Sequence, residues 1–314
     1  MRTFETIDEL WFDAAEQVAA GQRVESRDGV TKEVMGYVAR LEDPRYCFLY
    51  NPRRNINAAY AAAEVIWYLS FDNDIEMIQA YAPQYDRFAE GGKAHRAYGL
   101  RLSTFDQFEF LLGLLSKKLT TRQAVLNFHS NQKPFYDLRR SIEGDRKDIP
   151  CTLSLNFLVR DNKLNMTATM RSNDLWLGLP YDIFAFCHIQ QLVARYLGID
   201  MGWYQHQAMS LHIYDRNQKA FEEARTGKDF SVDHTDYFNG AESYRLFDKL
   251  EALGGYEAHN RTMGLCAEEI EMAGTEKTML GQLLIMASSK FDSFGAWSKR
   301  ISSKILLKHM KKED

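Results

Sequence analysis

Apolar residues in the N-terminal stretch recur at helical spacing. Phe4, Ile7, Leu10, Trp11, Ala14 and Val18 share a face, which predicts a helix over residues 4–21. Residues 24–40, around S-R-D-G-V and E-V-M-G-Y-V-A-R-L, are short and β-rich. Alanine content and an apolar face predict a helix over 57–70, and a second helix is expected over 104–118. Segments 122–129, 151–160 and 163–171 alternate or carry β-branched residues and predict strands. Asp161-Asn162 is the expected turn between the last two. Pro180 opens a long buried helix over 180–197, since proline suits a first helical turn. M-S-L-H-I-Y at 209–214 predicts a further strand. Beyond residue 215 the texture turns helical and charged, from K-A-F-E-E-A-R through Y-R-L-F-D-K-L-E-A-L to the end. The expected division is a catalytic core over 1–215 and a helical C-terminal portion over 216–314, packed on the same domain.

Composition narrows the function classes. The 314 residues are 45% hydrophobic and 26% charged, as in ordinary soluble domains. The 39 basic and 43 acidic side chains leave a formal charge of −4, which argues against nucleic acid as a partner. A few local arginines could still hold a small anion such as a nucleotide phosphate. No apolar run reaches the ~18 residues of a membrane span. The N-terminus is acidic and amphipathic, unlike a signal peptide. Cys47, Cys151, Cys187 and Cys266 are irregularly spaced, which suggests neither a disulfide framework nor a metal site. The expectation is a reduced protein of the cytoplasm, or of a host's cytoplasm if a phage encodes it.

One cysteine stands in unusual company. Cys151 follows Ile149-Pro150, opens an apolar strand, and is followed by Arg171-Ser172-Asn173-Asp174 and Leu177-Gly178-Leu179-Pro180. Arginine and serine together offer a donor fork and a hydroxyl, which suits phosphate. The order P-C, hairpin, R-S-N-D-L-W-L-G-L-P-Y, helix, L-H-I-Y resembles the core of thymidylate synthase and its pyrimidine hydroxymethylase relatives. The resemblance runs from about Arg27 to Tyr214 and includes A-E-V-I-W-Y-L at 63–69, A-Y-G at 97–99 and T-R-Q-A-V at 121–125.

The resemblance implies an α/β (α+β) fold: a curved mixed sheet backed by helices, with an enlarged helical C-terminal portion. It implies catalytic roles for Cys151, Glu64, Tyr98 and Arg171. Cys151 would add to C6 of a pyrimidine and make C5 nucleophilic. Neighbouring arginines would lower the thiol's pKa. Glu64 would organise water and move protons, with Tyr98 supporting it. Nucleotide contacts would come from Arg27, Arg122, Arg171, Ser172, Asn156, Asp174, Asp182, His212 and Tyr214. Arg122 would reach across a homodimer interface. Arg54, Tyr85, Asp174, Leu177, Gly178 and Tyr181 would line the site of 5,10-methylenetetrahydrofolate, the expected co-substrate. No metal is expected.

Departures from the family pattern refine this. Asp182 stands where thymidylate synthases carry an asparagine that reads uracil. An ionised carboxylate only accepts hydrogen bonds, which suits the C4 amino group of cytosine and a proton on N3. Thr152 replaces the histidine after the cysteine, and Gln123 replaces a second arginine. Tyr85-Asp86-Arg87-Phe88 replaces W-D-E-W, and the chain ends in K-H-M-K-K-E-D without the usual valine or isoleucine. The last two changes favour water over hydride as final acceptor. The expected function is folate-dependent 5-hydroxymethylation of dCMP or CMP. The alternatives are a dCMP 5-methyltransferase, a dUMP-directed thymidylate synthase or hydroxymethylase, and a silent nucleotide-binding protein on the same fold.

Overall fold

The computed structural model describes residues 1–69, 71, 73–79, 81–129 and 149–227. Its strands are β1 (Arg2–Phe4), β2 (Gln22–Ser26), β3 (Gly29–Leu41), β4 (Val125–Asn127), β5 (Thr152–Arg160), β6 (Lys163–Met170), β7 (Asn173–Asp174) and β8 (Asp200–Tyr214). Its helices are α1 (Ile7–Ala19), α2 (Ala58–Leu69), α3 (Glu76–Gln79), α4 (Tyr98–Ser103), α5 (Gln107–Lys117), α6 (Leu179–Tyr196) and α7 (Gln218–Thr226). The strands form one mixed sheet in the order β1-β3-β8-β6-β5-β4, with β2 on β3 and β7 on β8.

The hairpin β5–β6 turns where expected. Asp161 (φ 52°) and Asn162 (φ 56°) are both left-handed, as a tight hairpin turn requires. Strand β5 is one residue longer than β6, and a bulge between Thr152 and Ser154 absorbs the difference, so the pairing ends with Thr152 opposite Met170. The flanking residues, Cys151 and Arg171, therefore meet, and the Arg171 N–H donates to the Cys151 carbonyl at 2.9 Å.

Alternation along β5 sorts its faces. Leu155 and Phe157 are buried with α6 residues Phe184 and Phe186 in the core. Register carries these faces across the sheet: Leu155, Ala168 and His206 share the helix side, while Asn156, Thr167 and Gln205 share the other.

Helix α1 begins with a capping box, Thr6 accepting from the Glu9 N–H and Glu9 accepting from the Thr6 N–H. Its Trp11 is fully buried, packs against Phe221 of α7 at 6.3 Å, and donates through Nε1 to the Leu175 carbonyl at 3.4 Å. That bond ties α1 to the loop before α6.

Several expected boundaries shift. Strand β8 starts at Asp200, not 209; the consecutive polar residues Gln205, His206 and Gln207 interrupt the alternation that would have marked it. The helix over 104–118 becomes α5, since Phe105 (φ 57°) and Asp106 (φ 52°) break its start. The strand over 122–129 narrows to β4. The short β1, which pairs in parallel with β3, had no sequence signal. Of the expected C-terminal portion, α7 packs on the core, while residues 228–314 lie outside the described residues.

Candidate active site

The N-terminus of α6 organises the site. Asp174 accepts through Oδ1 from the N–H groups of Trp176 (2.8 Å) and Leu177 (2.9 Å), closing a side-chain turn that delivers the chain to Gly178. A β-carbon on Gly178 would lie 2.9 Å from Asn173 Nδ2 and 3.1 Å from Asp182 Oδ2. Only glycine lets β7 and the first turn of α6 approach so closely. Asn173 then donates to Asp182 Oδ2 at 2.7 Å.

Cys151 is half-buried beside Arg171. The guanidinium is anchored, donating through Nε to the Pro150 carbonyl (3.0 Å) and through Nη2 to that of Ile149 (3.1 Å). Its Nη2 lies 3.7 Å from Cys151 Sγ. The expectation that arginines lower the thiol's pKa holds for the sign of their effect but not for the balance. Burial pushes the thiol up and outweighs Arg171 and Arg96, with Asp182 and Asp174 adding to the rise.

Glu64 lies on α2, only 7% exposed. Burial raises its carboxyl to about 7, against hydrogen bonds from Tyr60 and Tyr68 and the charge of Arg96. Tyr60 Oη donates to Glu64 Oε1 at 2.8 Å. Tyr60 and Tyr68 flank Glu64 at i−4 and i+4, one turn away on the same face. Tyr98 packs edge-on to Tyr68 at 5.2 Å. That approach needs Gly99, whose β-carbon would lie 2.6 Å from the Tyr68 carbonyl oxygen. Burial holds the Tyr98 phenol well above its ordinary range, so it stays protonated.

Asp182 is raised to about 8, first by burial and then by Glu64, against Asn173 and Arg96. The helix dipole favours a carboxylate there, but desolvation wins. The ionised state assumed from sequence is therefore not the one favoured without nucleotide.

Residues 11–242 match the family model described as thymidylate synthase. The chain belongs to the thymidylate synthase family. Among similar proteins are the deoxyuridylate hydroxymethyltransferase of Bacillus phage SP01, 29% identical over 198 residues (58% of this chain, 50% of that protein), and that of Delftia phage PhiW-14, 27% identical over 209 residues (65% and 57%). The thymidylate synthase of Haloferax volcanii is 25% identical over 179 residues, 48% of this chain and 49% of that protein. The chain spans about half the length of the curated relatives it matches.

The remaining thymidylate synthase positions fall into groups. Arg27, in the β2–β3 turn, pairs with Asp28 at 3.1 Å, and it and Cys151 are close enough to interact electrostatically. Ser172 follows Arg171 and is half-buried. His212 lies opposite Asp174 in the β7–β8 pairing, and its ring meets Tyr214 edge-on at 5.2 Å. Arg54 is enclosed: it donates through Nε to the Trp176 carbonyl at 2.9 Å and lies 4.6 Å from the Trp176 ring and 5.8 Å from the Tyr181 ring. Tyr85 is buried edge-on against Trp67 at 5.4 Å. Asn156 is not brought to the cluster; it faces the opposite side of the sheet and donates to Ser154 Oγ at 3.0 Å. Nor is Arg122. It precedes Val125, which pairs with Asn156, five residues up β5 from Cys151. Strand pairing thus carries Arg122 away from the thiol rather than toward it.

Sequence reasoning missed Arg96, whose charge acts on Cys151, Glu64 and Asp182 together. Its one signal was adjacency to the A-Y-G block. It also missed Tyr60, Tyr68, Asn173, Tyr204 and His206. Among the described residues, no group of three or more His, Cys, Asp or Glu could hold a metal, and no helix is long and apolar enough to cross a membrane.

Proposed function

We propose that this protein is a one-carbon transferase that hydroxymethylates C5 of a cytidine monophosphate, dCMP or CMP. The observation that carries the reading is Asp182 in the first turn of α6, held by Asn173 and within electrostatic reach of Cys151, Glu64 and Arg96. Cys151 adds to C6, and the electron pair that collects at C5 forms the new carbon–carbon bond. 5,10-Methylenetetrahydrofolate supplies the carbon at the oxidation level of formaldehyde. Glu64, poised near neutrality, takes the C5 proton. Water adds to the exocyclic methylene, and expulsion of Cys151 restores the ring. Nucleotide, methylenetetrahydrofolate and water give hydroxymethyl nucleotide and tetrahydrofolate.

Against cytosine, a neutral Asp182 donates to N3 and accepts from the C4 amino group. This pair has the same proton count as a carboxylate facing a protonated N3. Arg171 and Arg27 hold the phosphate, and His212 and Tyr214 the sugar. Apolar and aromatic groups suited to folate are Leu177, 44% exposed, and the Tyr60–Tyr181 pair, whose rings meet edge-on at 4.9 Å. Arg54, bonded to the Trp176 carbonyl, lies near the Tyr181 ring and steadies it. Water is favoured as final acceptor by Tyr85 in place of the family's tryptophan.

A homodimer is supported by two features. Strand pairing carries Arg122 away from its own thiol, and the sheet face away from the helices exposes Val38 and Met209. A cytoplasmic setting belongs to the same proposal and rests on the sequence's irregular cysteine spacing.

A second reading is 5-hydroxymethylation of a uridylate. It is favoured by the names of the phage relatives and by the neutral state of Asp182, since an O–H and a carbonyl can also mimic an amide. The test is kcat/KM for dCMP, CMP, dUMP and UMP with methylenetetrahydrofolate, with products identified by mass. Cytidylates should be preferred, and Asp182→Asn should shift the cytosine-to-uracil ratio by roughly 5- to 150-fold toward uracil. Wild-type preference for a uridylate would overturn the cytosine reading.

A further inference from the structure

Behind Asp182 lie three polar side chains that the mechanism does not use. Asn173, Tyr204 and His206 are buried, at 3%, 0% and 0% exposure. Buried polar groups must be satisfied internally, and here they satisfy one another in a line. Tyr204 Oη lies 2.8 Å from His206 Nδ1, His206 Nε2 lies 3.0 Å from Asn173 Oδ1, and Asn173 Nδ2 lies 2.7 Å from Asp182 Oδ2. Tyr204 and His206 are two apart on β8 and share its helix side, and His206 sits between Ala168 and Ala39, whose small side chains leave room for the ring.

The line has a direction. Burial holds His206 at about 3, so its imidazole is neutral, with one donor and one acceptor nitrogen. Asn173 Oδ1 can only accept, so the ring proton is on Nε2. Nδ1 must then accept from the Tyr204 hydroxyl. Each bond donates toward Asp182. Reversing the line needs an amide flip, the other imidazole tautomer and a protonated Oδ2. It would also leave the Tyr204 O–H without an acceptor among the described residues.

This direction matters because a carboxylic acid is an ambiguous reader. With its proton on one oxygen it matches cytosine; with the proton on the other it matches uracil. We propose that Tyr204, His206 and Asn173 are positioning residues that select the base, by holding Oδ2 of Asp182 as an acceptor and confining its proton to Oδ1. Asp182 thereby gains the fixed donor–acceptor polarity of an amide while keeping a carboxyl's chemistry. Glu64, Arg96 and Asp174 also act on Asp182, but they set its charge rather than choose between its oxygens. The proposal rests on Asp182 as the group that reads the base.

The experiment compares wild type, Tyr204→Phe, His206→Phe and Asp182→Asn, measuring kcat/KM for dCMP and dUMP with methylenetetrahydrofolate. Nitrogen-15 NMR reports the His206 tautomer. Wild type should show neutral His206 protonated on Nε2. Tyr204→Phe, which removes one hydroxyl, should admit the other tautomer and bring the base ratio at least several-fold closer to one. General damage would lower both substrates alike and leave the ratio unchanged. A wild-type His206 protonated on Nδ1 would overturn the relay without any variant. Unchanged ratios in both relay variants, with Asp182→Asn shifting its own, would overturn the relay alone. An unchanged ratio in Asp182→Asn would overturn the base-reading role beneath it.

Discussion

Replacing Glu64 with glutamine separates the energetic cost of a buried carboxylate from its catalytic use. The carboxyl is 7% exposed and rises from an ordinary 4.5 to about 7, mainly through burial. A raised acid contributes its full stability below the unfolded pKa and loses it as pH climbs through the folded one. The interval corresponds to ~3 kcal/mol of differential interaction. Wild type should therefore weaken relative to Glu64→Gln between about pH 4.5 and 8, by up to that amount. Glutamine keeps the shape but accepts less strongly from Tyr60, an offset that is nearly independent of pH. The slope of the difference against pH, not its absolute value, is thus the measurement. Urea unfolding at fixed protein concentration, in phosphate-free buffers from pH 5 to 9, gives it. A difference flat across that range would show that Glu64 does not titrate there, and the reasoning from burial would fail. The same variant should lose most turnover at every pH, since no group replaces the proton acceptor.

Two further outcomes follow from the charges around Cys151. Asp182→Asn removes a group that raises the thiol once it ionises, so alkylation by iodoacetamide should speed up severalfold at pH 9, above the Asp182 value of about 8, and change little at pH 6; Arg171→Ala should slow it. An alkylation rate indifferent to both would detach the thiol from its neighbours. If Arg122 serves the partner's site, mixing Arg122→Ala with Cys151→Ser under subunit exchange should restore roughly a quarter of wild-type sites, because half the dimers are mixed and each has one intact site. No recovery, with exchange demonstrated, would refute a shared site.

The parts legible in sequence were those whose geometry is local. Cys151 and Arg171 could be brought near because two strands joined at Asp161-Asn162 return the chain to its start, to within the one residue that the bulge between Thr152 and Ser154 absorbs. Glu64 lay at helical spacing from Tyr60 and Tyr68, so its partners were readable in principle. Gly178 and Pro180 announced the start of α6. What stayed hidden depends on distant chain. The relay joins β7, β8 and α6, and the polar run that supplies it, Tyr204-Gln205-His206-Gln207, blurred the strand carrying it. Burial of Cys151 and Asp182 is likewise tertiary, so composition could indicate which charges act on them but not whether desolvation prevails. Asn156 lies apart from the cluster for a related reason. A strand's period of two sends neighbours to opposite faces, and proximity to Cys151 along β5 gave no vote on which face. The base-reading position shows the same division of labour. The residue type, aspartate, was plain in the sequence, yet its usable protonation state depends on Asn173 and on chain about twenty residues further on, and so only the folded molecule discloses it.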